Sequence, residues 1–145
     1  MTGDGVPEGW IADGVHVLPL RVYYEDTDAG GIVYYANYLK FAERARTEMM
    51  RCLGAEHGGL MREDGISFAV RHCEASFVSP ARLDDVIEVR TKLAHVRGAS
   101  MCAEQSITRG DQALADITVR LACRDTHGRP ARLPARLRKT LATLT

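Results

Sequence analysis

Between Tyr23 and Tyr38 the chain reads Tyr-Tyr-Glu-Asp-Thr-Asp-Ala-Gly-Gly-Ile-Val-Tyr-Tyr-Ala-Asn-Tyr. Three acids, Glu25, Asp26 and Asp28, fall within four positions, and Gly30 and Gly31 follow. An apolar run precedes the acids and a helical pattern follows the tyrosines. A carboxylate held at such a junction can serve as a base or a nucleophile. The N–H groups at the start of the helix can receive a developing negative charge. Glycines beside the acid let backbone approach a reacting group closely, since they carry no Cβ. The stretch as a whole is the candidate reactive centre. The bland alternative for Asp28 is a turn or capping aspartate. Asp26 reads as a turn residue that bonds backbone N–H groups. Glu25 reads as solvated, and Tyr24 either meets substrate or packs in the core.

Other reactive designs are absent. The sequence has no G-x-S-x-G elbow, no H-E-x-x-H and no G-x-x-x-x-G-K-[ST]. His16, His57, His72, His95 and His127 are scattered and read as strand or surface residues. Cys52, Cys73, Cys102 and Cys123 form no C-x-x-C pair and read as buried free thiols, so no metal site is expected. The 19 basic and 19 acidic residues cancel, which gives no global field to recruit nucleic acid. No apolar run reaches the roughly 20 residues of a membrane span. Residues 1–14 carry acids but no basic residue and no apolar core of a signal peptide, so the expected location is cytoplasmic.

The elements that must position the acids can be read from periodicity. Residues 1–14 read as a flexible leader, and 15–145 as one domain. Val15 to Tyr24 is strand-like, with Pro19 arguing for an edge or an irregular start. From Asn37, a candidate N-cap, Tyr38, Phe41, Ala42, Ala45, Met49 and Leu53 make one apolar stripe. Lys40, Glu43, Arg44, Arg46, Glu48 and Arg51 fill the other faces, and most of them read as solvated. Gly54 is the expected stop. After Gly65 the period becomes two. Strand-like runs cover Phe68–Val78, Ile87–Leu93, Ala99–Thr108 and Ala113–Cys123, with turns at residues 81–85, at Arg97-Gly98 and at Gly110-Asp111. Short connections predict antiparallel pairing along a meander. The order predicts an α+β layer fold, one helix against a single curved sheet. From Arg124 to Lys139 six basic residues face one acid, a solvated end or a phosphate contact.

The acid–glycine–tyrosine stretch, followed by Glu43-Arg44-Ala45-Arg46-Thr47-Glu48, resembles the YbgC branch of the 4-hydroxybenzoyl-CoA thioesterase family. Pro80-Ala81-Arg82-Leu83-Asp84-Asp85 and Arg97-Gly98-Ala99-Ser100 match the same branch. The resemblance covers about residues 17 to 135. It implies a hotdog fold, a long central helix wrapped by a curved antiparallel sheet. It implies hydrolysis of an acyl-CoA to a carboxylic acid and free CoA, often in association with the Tol-Pal envelope system. It also implies a homodimer joined sheet edge to sheet edge, or a homotetramer, with sites drawn from both chains. Coenzyme A enters as part of the substrate, and no separate cofactor is expected.

By position in the motif, the resemblance assigns the catalytic carboxylate to Asp28. It assigns the oxyanion donor to the backbone N–H of Tyr35, with Gly31 beside it. Several members carry a histidine where this chain has Tyr35. A tyrosine, with an unperturbed pKa of about 10, cannot replace an imidazole near neutral pH. The backbone donor is unaffected by that change. The phosphates of CoA need cations, for which Arg82 and Arg97 in exposed turns are the candidates, with Arg132 and Arg136 behind them. Tyr24 is a candidate substrate contact. The competing expectation is a catalytically inactive hotdog subunit that binds acyl-CoA as a scaffold or sensor. A hotdog dehydratase fits less well, because no histidine lies between His16 and His57.

Overall fold

The computed structural model describes residues 7–145. One antiparallel sheet of six strands wraps one long helix. The strands are β1 (Trp10–Ala12), β2 (Val15–Arg21), β3 (Ser67–Phe77), β4 (Val86–Val96), β5 (Ser100–Arg109) and β6 (Gln112–Arg124), in the order β1-β2-β4-β5-β6-β3. Helix α1 (Asn37–Cys52) buries Tyr38, Phe41, Ala42, Ala45, Met49 and Met50 against the concave face. It meets there the inward side chains of β4 to β6, among them Val89, Leu93, Ala103, Ile107, Ile117 and Val119. The alternation of inward apolar and outward polar residues along these strands is what the period of two predicts.

Two local expectations are corrected. The leader is not loose as far as Gly14: Trp10–Ala12 pairs with Val15–Val17 as β1. The part of the leader before Pro7 lies outside the described residues. The short β1 also explains Pro19. It covers β2 only up to Val17, so β2 is locally an edge at Pro19, where a missing N–H costs nothing. Asn37 is not a side-chain cap: its amide Nδ2 donates to the Asp26 carbonyl at 2.8 Å. Gly54 does end the helix, with φ at 73°.

The third correction is topological. β4, β5 and β6 form the expected meander, but β3 does not pair with β4. It pairs with β6, from Ser67 opposite Arg124 to Phe77 opposite Ala115. Residues 78–85 carry the chain from the edge of the sheet back across its end. β3 is therefore an 11-residue edge strand with one side unpaired. From Val70 to Phe77 every residue of it is exposed, including Cys73, which was expected to be buried. The other thiols fit burial better. Cys102 and Cys123 are buried and Cys52 is partly so, and in all three burial pushes the thiol pKa up.

α2 (His57–Gly59) and a π-helical turn (Leu60–Asp64) fill the corner between α1 and β3. α3 (Ala135–Leu141) packs Leu137 and Leu141 into the core.

Candidate active site

The acids lie on a compact loop between β2 and α1. Tyr24–Asp26 forms a single 3-10 turn, capped reciprocally: the Tyr23 N–H donates to Asp26 Oδ2 at 2.8 Å, and the Asp26 N–H donates to the Tyr23 carbonyl at 3.0 Å. The Asp26 carbonyl then accepts from Tyr34 N–H at 2.9 Å and from the Asn37 side chain. Asp26 thus ties the loop to the start of α1, and its carboxylate is occupied by backbone.

Asp28 sits at the corner of a tight hairpin. Its N–H donates to the Ile32 carbonyl at 2.9 Å, and its carbonyl accepts from Gly31 N–H at 3.0 Å. Gly31 takes φ of 81°, a conformation that closes this turn and that L side chains rarely adopt. Asp28 Oδ1 accepts from Gly30 N–H at 2.8 Å, and a Cβ on Gly30 would stand 3.2 Å from that oxygen. One carboxylate oxygen is therefore oriented by backbone, and no hydrogen bond to the other is formed among the described residues. The residue as a whole is exposed.

The hairpin leads directly into the helix. Val33 N–H donates to the Ala81 carbonyl, and Ile32 bridges Arg82, which brings Arg82 beside the loop. The next backbone donor in the chain after Tyr34 is Asn37, which bonds the Tyr34 carbonyl. Among the described residues the N–H groups of Tyr35 and Ala36 donate to no protein oxygen, the usual condition of a first helical turn. The Tyr35 ring stands edge-on to Phe77 at 5.8 Å. Together with Ile32, Val33, Tyr38, Val78, Ser79 and Pro80 they line an apolar cleft of about 240 Å³. The neighbouring Tyr35 hydroxyl pushes the ionisation of Tyr34 above the ordinary tyrosine value.

The other expected contacts separate. Tyr24 is 83% exposed, so the core-packing reading does not hold. Arg97 lies beyond the Val96 end of β4, whereas the Asp28 loop adjoins the Val86 end. Ten strand steps, roughly 33 Å, separate Arg82 from Arg97 along the sheet. Arg132 joins Arg97 at that far end, its guanidinium packed over Gly98 at 3.3 Å from where a Cβ would stand. Arg136 is engaged by Asp64 at 2.6 Å.

A second constellation went unread in the sequence. Arg46, grouped above with the solvated charges, is only 8% exposed. Its Nη1 donates to Gln105 Oε1 at 2.8 Å, and Gln105 Nε2 donates to the Ala42 carbonyl and to Thr91 Oγ1, both at 2.9 Å. The signal was available, because Gln105 falls between Ala103 and Ile107 on the inward face of β5, where apolar residues are the rule. Arg46 lines a pocket of about 210 Å³ with Glu43, His57, Met61, Phe68 and Val70.

The sequence profile of the thioesterase-like superfamily matches residues 22–141. An acyl-CoA thioesterase YbgC of Haemophilus influenzae is 45% identical over 115 residues, 79% of this chain and 85% of that protein. An acyl-CoA thioester hydrolase YbgC of Escherichia coli O157:H7 is 47% identical over 96 residues, 66% of this chain and 71% of that protein. The crystal structure of a probable thioesterase from Bartonella henselae superposes with a TM-score of 0.80 at 37% identity, covering 83% of this chain and 99% of the other.

Proposed function

The chain belongs to the thioesterase-like superfamily and is a thioester hydrolase with the hotdog fold; on that premise we propose that it hydrolyses acyl-CoA thioesters with Asp28 as the reacting carboxylate. The observation that carries the assignment is the junction itself. The Asp28 carboxylate is oriented by Gly30 N–H, and the loop runs straight into a helical turn whose Tyr35 N–H has no partner among the described residues. As a general base, Asp28 takes a proton from water and the hydroxide adds to the thioester carbon. As a nucleophile, its oxygen adds instead and water later cleaves the anhydride. In both routes the carbonyl oxygen becomes an oxyanion, the C–S bond breaks and the CoA thiolate leaves, taking up a proton. A preorganised backbone donor for that oxyanion is worth roughly 100- to 1000-fold in rate.

The site is completed by a second copy of the chain. One protomer leaves Asp28 open to solvent, and its basic turn with Arg97 and Arg132 lies at the wrong end of the sheet for that protomer's own Asp28. The unpaired β3 edge invites pairing with its own copy. In an antiparallel two-fold pairing along the whole strand, Phe77 stands opposite Ser67 of the partner subunit. The Asp28 loop beside Phe77 then meets the end of the partner that carries its Arg97, and CoA lies between the two. The cytoplasm is the proposed location, and an association with an envelope complex is part of the same reading. The test is release of free CoA from a panel of acyl-CoAs by the wild type and by Asp28→Asn. Turnover that Asp28→Asn abolishes supports the reading. Acyl-CoA binding with no turnover above that background would make the chain an inactive binding subunit.

A further inference from the structure

The two ends of β3 carry different chemistry. The Phe77 end meets the cleft beside Tyr35. The Ser67 end meets the Arg46 pocket, whose apolar walls are Leu60, Met61, Ile66, Phe68, Val70 and Leu121. A guanidinium at the base of an apolar pocket is an unusual choice, because burying a charge is costly unless it is paired. Arg46 stays charged and carries five N–H donors. The Gln105 amide takes one, and among the described residues Arg46 forms no ion pair. Burial pulls its proton affinity down, and the charges of Glu43 and Cys73 pull it back only in part.

The other polar groups at the pocket leave room for an anion. Glu43, nearly one turn before Arg46 on α1, is exposed, so its charge is screened by water in a way that of Arg46 is not. His57 is half-buried, with its ring 6.1 Å from that of Phe68. Burial first, and the Arg46 charge second, keep the imidazole neutral below its ordinary pKa. It can donate a hydrogen bond without adding a competing negative charge. The pocket therefore offers an apolar wall, a buried cation with free donors and a neutral imidazole, and Glu43 is the one carboxylate among its described lining residues.

We propose that this pocket seats the far end of the acyl chain and that Arg46 reads a carboxylate there, so that the preferred substrates are CoA thioesters of dicarboxylic acids. The inference rests on the thioesterase reading and on β3 pairing. Within one chain Arg46 follows Tyr35 by eleven residues, about 16 Å along α1, and its pocket opens on the Ser67 to Val70 part of β3, away from the Phe77 end that adjoins the Asp28 loop. Across the two-fold pairing the loop and the pocket become neighbours. The acyl chain then starts at Asp28 of one protomer and ends at Arg46 of the other.

The test compares adipoyl-CoA with hexanoyl-CoA, and suberoyl-CoA with octanoyl-CoA, at equal chain lengths. The expected kcat/KM ratio favours the dicarboxylic member by roughly 10- to 100-fold, the range for hydrogen bonds to a charged group. Arg46→Met should bring the ratio close to one, whatever it does to the monocarboxylic rate. Met61→Glu, at an exposed pocket residue whose replacement spares the core, should also lower the ratio by repulsion. It keeps the test open if Arg46→Met fails to fold. Mixing Asp28→Asn with Arg46→Met subunits should restore adipoyl-CoA hydrolysis. Random pairing leaves half the dimers mixed with one intact site each, about a quarter of the wild-type sites. A wild-type ratio near one, with hexanoyl-CoA turned over, overturns the proposal and leaves the thioesterase reading standing. So does a ratio that neither variant changes. Hydrolysis of neither series overturns both.

Discussion

Asp26 and Asp28 are two positions apart on one loop, and the structure holds their carboxylates differently. Asp26 Oδ2 caps the 3-10 turn through Tyr23 N–H at 2.8 Å. Removing it in Asp26→Ala deletes one capping bond, which costs roughly 0.5–2 kcal/mol. For a chain of this length that shifts the melting temperature down by roughly 2–8 °C. The main-chain carbonyl of Asp26, which holds Tyr34 and Asn37, is unaffected, so the start of α1 stays anchored and partial activity should remain. Asp28→Asn keeps the shape of the side chain and an oxygen that can accept from Gly30 N–H, so the melting temperature should stay close to wild type. Its kcat should fall by roughly 100- to 10,000-fold, the range for a lost general base, with the loss mainly in kcat. Steady-state release of CoA and thermal melts on both variants decide the matter. A well-folded but dead Asp26→Ala beside an active Asp28→Asn would show that the wrong carboxylate has been assigned.

Three further outcomes follow from the same geometry. Gly31→Ala should cost about 1–2 kcal/mol in a thermal melt, because φ of 81° is unfavourable for an L side chain although nothing crowds the position. Stability should also fall with acid. Burial lowers the pKa of His16, partly offset by its bond to the Glu8 carbonyl and by the charge of Glu48, and burial lowers that of His57. Above about pH 6.5 both are neutral in either state. Below it the unfolded chain binds more protons, so stability is lost as the pH falls from 6.5 toward the depressed native values. Melting temperatures from pH 7.5 to 5 should show this slope, and His16→Gln should flatten part of it; a flat wild-type profile would contradict it. Finally, sedimentation equilibrium at micromolar concentration should show a dimer or a larger assembly, and specific activity should drop on dilution into monomer. A fully active monomer would remove the shared site.

Much of this was legible because it depends on local rules. The apolar stripe of α1, the alternation along β4 to β6, the Gly54 stop and the acid–glycine junction each follow from residues close in sequence. What escaped depends on partners distant in sequence. The short connection at residues 78–85 argued for β3 beside β4, yet that segment crosses the end of the sheet and leaves β3 pairing with β6. Cys73 looked buried because free thiols within predicted elements usually are, and the open edge of β3 exposes it. Trp10–Ala12 is too short to show a period and is a strand only because β2 offers it an edge. Arg46 looked solvated on the helix because its partner, Gln105, lies 59 residues away. The two become readable only when taken together, as a polar pair on two faces that otherwise turn apolar residues inward.

The edge position of β3 links these observations. Its concave side is the wall between α1 and open water, and Val70 and Phe77 are each about half exposed on it. Apolar side chains left on an unpaired edge favour association, and a long edge strand without a covering element is a hazard unless it has a fixed partner. Pairing β3 with its own copy satisfies the free backbone groups of both strands at once. In the proposed dimer the same pairing closes the solvent-open side of the Asp28 loop and brings the basic turn and the Arg46 pocket of the other protomer to it. On that proposal assembly and catalysis depend on one strand. A change that weakens β3 pairing should lower activity even where it leaves Asp28, Tyr35 and Arg46 untouched.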